Sequence, residues 1–173
     1  MELTDQSLVG YSLAVGGLLL VTPSLFIADV REHRLPNRLT GPAALWMLGA
    51  GCIGALVARS WQPLVQSLVA GVASLLVYLA LWAVARGGFG MGDVKLGGVL
   101  GLALGLQSFA TVMAAFAVGF LAAGAWAVIL IATRRAGLRT HIAFGPFMLI
   151  GAWVVILGFG AVERALLGPL ALG

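Results

Sequence analysis

The stretch Val94 to Thr133, VKLGGVLGLALGLQSFATVMAAFAVGFLAAGAWAVILIAT, is apolar almost throughout. It is too long for one membrane crossing, which takes about 20 residues. Its least apolar point is Gly105-Leu106-Gln107-Ser108, so the spacing predicts a short helix over Val94 to Gly105 and a full one over Phe109 to Thr133. Four further apolar runs, Leu8 to Ala28, Leu39 to Ala58, Leu64 to Ala85 and Ile142 to Val162, bring the expected total to six. Only Arg59-Ser60-Trp61-Gln62-Pro63 separates the second from the third, which makes those two antiparallel neighbours. In the last run, Gly145-Pro146 is expected to interrupt the first turns.

Composition agrees with this reading. The 173 residues are 61% hydrophobic and 9% charged, with a mean hydropathy of +1.08, which is far from the balance of a soluble domain. The expected fold is an all-α, polytopic membrane protein of six transmembrane helices, one domain over residues 1–173, with the lipid bilayer as its surroundings. A net charge of +4 does not point to nucleic acid here, because the charges fall between apolar runs. Glu2 and Asp5 precede the first run in place of a basic region, so that helix is expected to stay in the mature protein. The single Cys52 lies in an apolar run and is expected to be a small core residue.

Basic residues set the expected orientation. Arg31, Arg34, Arg38, Arg86, Lys95, Arg134, Arg135 and Arg139 lie in odd-numbered loops, against Arg59 and Arg164 elsewhere. Positive residues favour the cytoplasmic side, so the N-terminus is placed outside and the location is the inner (cytoplasmic) membrane.

Two aspartates stand out. Asp93 lies in Gly87-Gly88-Phe89-Gly90-Met91-Gly92-Asp93 between apolar segments, where glycines allow close approach of another chain. The plain alternative is that Asp93 only caps the following helix. Asp29 lies 64 positions earlier, at the end of the first apolar run. Both are too short to snorkel far, and the orientation puts both on the cytoplasmic side. Brought together, two carboxylates share a proton and act as acid and base on water attacking an amide. Asp29 at a helix C-terminus and Asp93 at a helix N-terminus would leave Asp93 more often the ionised partner. Gly97, Gly101 and Gly105, at spacing four, form a stripe that lets a neighbouring backbone approach. Lys95 falls about 200° round a helix of 3.6 residues per turn from Asp93 and should point away as an anchor. His33 and His141 have no His or Cys partner at ligand spacing, so no metal and no cofactor is expected.

These residues resemble the type IV prepilin peptidases and their preflagellin-peptidase relatives, which are six-helix aspartic intramembrane proteases. Gly90-Met91-Gly92-Asp93 matches the family's G-x-G-D pattern, with Val94-Lys95-Leu96 following. Asp29 followed by Leu35-Pro36-Asn37 looks like the family's first catalytic Asp and its downstream Pro-Asn, and Phe144-Gly145-Pro146-Phe147 resembles a third segment. The resemblance implies catalysis by Asp29 and Asp93, with Gly90, Gly92, Lys95, Pro36, Asn37, Gly145 and Pro146 as supporting residues. It implies cleavage of the basic leader from prepilin or pilin-like precursors at the cytoplasmic membrane face. The first helix starts near residue 8 and the chain has one Cys, so the family's paired Cys-x-x-Cys segment is expected to be absent. N-methyltransferase activity is therefore expected to be absent, as in the short branch similar to enzymes of tight-adherence pilins.

Two other classes compete, an ion or proton transporter and a non-catalytic assembly protein. A transporter would place its carboxylates near the bilayer midplane, often with an internal repeat. Here they fall at the edge and no repeat is evident.

Overall fold

The structure, a computed structural model, describes residues 7–32, 35–84, 90–134 and 143–167. The expectations for His33, His141, Gly87 to Phe89 and the basic residues Arg34, Arg86, Arg135 and Arg139 lie outside the described residues. The described chain forms six helices: α1 Ser7–Glu32, α2 Asn37–Ala58, α3 Gln62–Val84, α4 Met91–Gly105, α5 Phe109–Ala132 and α6 Gly145–Leu167. Within these, Leu8–Arg31, Asn37–Ala58, Gln62–Val84 and Phe109–Ala132 are long and apolar enough to cross a membrane, and Gly145–Gly158 is a shorter apolar helix. Large apolar side chains such as Leu20, Leu56, Val72, Leu121 and Val128 face outwards, which suits lipid and not water as solvent. The protein is an all-α, polytopic membrane protein.

The short helix α4 lies at the centre and touches each of the other five. Eleven of its fifteen residues are buried, which is why it is apolar all round with no outward polar face. Its glycine stripe meets α3. A Cβ at Gly101 would lie 2.6 Å from Ser74 Oγ and 2.8 Å from the Ala70 carbonyl, and one at Gly105 would lie 2.9 Å from Ser67 Cα. Only glycine permits that approach. Ser67 Oγ donates to the Leu102 carbonyl at 2.6 Å and ties the two helices further.

Several boundaries depart from the sequence reading, and three of them bear on the aspartates. Helix α1 runs through Pro23 and on to Glu32, so Asp29 is inside the helix and not just beyond it. Helix α4 begins at Met91 with Gly90 as its N-cap, which puts Asp93 in the first turn. Helix α6 begins at Gly145, so Gly145-Pro146 starts the helix where an interruption was expected. Proline suits that place, since the first N–H groups of a helix have no carbonyl within it to bond. Cys52 is exposed on α2 and is not a core residue.

Candidate active site

Asp93 is aimed by the start of its own helix. From the third position of α4 its Oδ2 accepts the Gly90 N–H at 3.0 Å, closing one half of a capping arrangement. Capping and a site role are thus not alternatives, because the cap holds the carboxylate in place. A Cβ at Gly92 would lie 2.8 Å from the Leu35 nitrogen, so that glycine lets the segment before α2 press against this turn.

Asp29 is aimed by a different helix. Its Oδ2 accepts the Gly145 N–H at 3.0 Å, a bond spanning 116 positions in sequence. A Cβ at Gly145 would sit 2.6 Å from that same oxygen, so no larger residue fits without displacing it. The Asp93 carboxyl group lies within electrostatic reach of Asp29 and of the start of α6. Both are buried, with relative exposures of 4% for Asp29 and 5% for Asp93. Each aspartate therefore has a helix N-terminus beside it, α6 for Asp29 and α4 for Asp93. The helix ends do not rank the two as the sequence reading expected, because α6 offsets the unfavourable end of α1.

The supporting residues divide into two groups. Gly90, Gly92, Gly145 and Pro146 lie at the aspartates or shape the turns that hold them. Pro36, Asn37 and Lys95 form a separate cluster. Pro36 is the N-cap of α2 with φ of −69°, and Asn37 Oδ1 accepts a hydrogen bond from Lys95 Nζ. Lys95 thus bonds across from α4 to the start of α2. Among the described residues no three His, Cys, Asp or Glu side chains gather.

One residue of the site was missed by sequence reasoning. Tyr78 of α3 is fully buried, and a Cβ on Gly97, one turn along α4 from Asp93, would lie 2.5 Å from its ring. The ring meets Phe116 edge-on at 5.1 Å and lies 6.3 Å from Phe144, the residue before Gly145. Tyr78 also feels the charge of Asp93. It joins α3 to α4, to α5 and to the segment that leads into α6. The only signal in the sequence was a polar aromatic in an apolar helix, and tyrosine is common in such places.

The type IV leader peptidase family matches residues 13–128, a range that includes both aspartates. A prepilin leader peptidase/N-methyltransferase of Burkholderia pseudomallei (strain 1026b) is 34% identical over 169 residues, covering 92% of this chain and 50% of the relative. Proteins of the same name are 30% identical in Neisseria gonorrhoeae, with 88% and 52% covered, and 28% identical in Pseudomonas aeruginosa, with 91% and 54% covered. The chain spans about half the length of these curated relatives. No solved structure matches it. With the profile match and the extent of identity, the chain belongs to the type IV leader peptidase family.

Proposed function

We propose that the protein is an aspartic endopeptidase that removes the leader from type IV pilin-like precursors. The observation that carries the reading is the burial of both Asp29 and Asp93 within electrostatic reach of one another, with Asp29 held by the Gly145 N–H. Two carboxylates, from α1 and α4, thus lie near the first turn of α6. Two carboxylates so placed hold one proton between them. The ionised member takes a proton from water as it attacks the scissile carbonyl, and the protonated member gives one to the departing amine. The relatives' name supports a prepilin substrate. The loop charges support a site on the cytoplasmic face of the inner membrane, with the substrate's apolar helix kept in the bilayer.

Co-expression with a pilin-like precursor, followed by gel shift and N-terminal sequencing, tests the proposal. Cleavage on the cytoplasmic side of the precursor's apolar segment is expected. Asp29→Asn and Asp93→Asn should each lower the rate by at least ~100-fold, since a positioned acid or base contributes ~100–10,000-fold. Cleavage by either variant at the parental rate would sink the two-carboxylate mechanism.

A further inference from the structure

A groove of about 480 Å³ runs between α2, α3 and α4, away from the aspartates. Ala44 and Leu48 of α2, Leu68, Val72 and Leu75 of α3, and Val99 and Leu102 of α4 make its walls apolar. Lys95 and Asn37 stand at one end, where α2 and α4 begin, and no acidic side chain lines it. Val72 and Leu75 are exposed on the outer surface, so the groove opens where lipid lies.

We propose that this groove binds an anionic phospholipid, one acyl chain lying along it and the phosphate held by Lys95 and the start of α2. Length favours a chain of one leaflet. From Asn37 to Leu48 the groove follows α2 for about 16 Å at 1.5 Å per residue, roughly half of a ~30 Å hydrocarbon layer. Its volume of about 480 Å³ suits an acyl chain better than an enclosed helix, which with its side chains is ~10–12 Å across and would displace about 1,200 Å³ over that length. Water does not suit walls of this kind, because it would find no hydrogen-bond partners along them.

Charge selects the headgroup. Lys95 Nζ spends one N–H on Asn37 Oδ1 and has two more to offer. At the start of α2, the Leu39 and Thr40 N–H groups bond the Pro36 carbonyl, while the preceding N–H groups have no carbonyl within the helix and suit an anion. An acyl chain gains little by leaving other lipid tails for this groove, since tails are as apolar as its walls. Selectivity therefore falls on the phosphate end.

Native mass spectrometry of the detergent-purified protein tests this, with phosphatidylglycerol and phosphatidylcholine of identical chains as probes. Wild type should retain phosphatidylglycerol about fivefold better, the ratio that corresponds to ~1 kcal/mol for one lysine near an anionic headgroup. Lys95→Gln should abolish the preference and Lys95→Arg should keep it. Gly41 lines the groove and an added Cβ there meets nothing within 4 Å. Gly41→Leu should therefore fill the groove and lower retention of both lipids, with the circular dichroism spectrum unchanged. Equal retention of the two lipids by wild type would overturn the proposal. So would an intact preference in Lys95→Gln, undiminished retention in Gly41→Leu, or displacement of the lipid by a peptide of the precursor's apolar segment.

Discussion

An alanine at position 145 would bring its Cβ to 2.6 Å from Asp29 Oδ2, well inside contact distance, so the carboxylate or the start of α6 must move. A misplacement of ~1 Å at a reacting group can cost ~100-fold in rate. Gly145→Ala is therefore expected to lower kcat/KM by about that factor while the protein still inserts and unfolds cooperatively. Unchanged kcat/KM would mean that the Gly145 contact does not position Asp29. Tyr78 separates packing from chemistry. Tyr78→Ala removes a fully buried ring and should destabilise by ~3–5 kcal/mol, read as a fall in thermal unfolding temperature in detergent. Tyr78→Phe keeps the ring and should unfold close to the parent, yet alter the pH dependence of cleavage; an identical profile would show that the hydroxyl takes no part. The aspartates were legible because a short acid in an apolar chain is costly and therefore informative. Tyr78 was not, because a ring with one polar tip suits almost any membrane helix, and its neighbours on α4, on α5 and just before α6 come from distant sequence.

Helix α4 meets α3 through backbone, so bulk on its stripe acts at a distance from the site. Gly101→Leu would drive its side chain into Ser74 and the Ala70 carbonyl, part the two helices and tilt Asp93 away from Asp29. Activity should fall by ~100-fold or more with insertion preserved, and full activity would show that the stripe tolerates separation. The division between α4 and α5 was legible in Gln107 and Ser108, whose polar groups bond Thr111 and so need neither water nor another helix. The starts of α4 and α6 were harder to read. Gly-Pro in an apolar run looks like an interruption, and only the placement of Asp29 against the first N–H of α6 distinguishes a beginning from a break. Beyond Asp29 the polar residues Arg31 and Glu32 look like a loop, yet nothing in them prevents another helical turn.

The whole molecule is a ring of helices around α4, and its orientation rests on the basic residues. With Cys52 replaced by alanine, Ser60→Cys in the α2–α3 connection should react with a membrane-impermeant maleimide added from outside. Arg134→Cys, just after α5, should react only once the inner face is opened. The reverse pattern would invert the topology and move the expected cleavage to the other side. The lipid groove was beyond reach of the sequence, because its three walls come from separate helices and nothing along one of them marks an empty space. The bond between Gly145 and Asp29 also has a meaning in time. Its partners are 116 positions apart, so at ~5–20 residues per second a ribosome that has made Asp29 works for about 6–23 seconds before it reaches the glycine. Until then the first aspartate lacks that donor and the proposed active site is unassembled. Any competence for cleavage would thus arrive only with α6, after the membrane has already received the five helices before it.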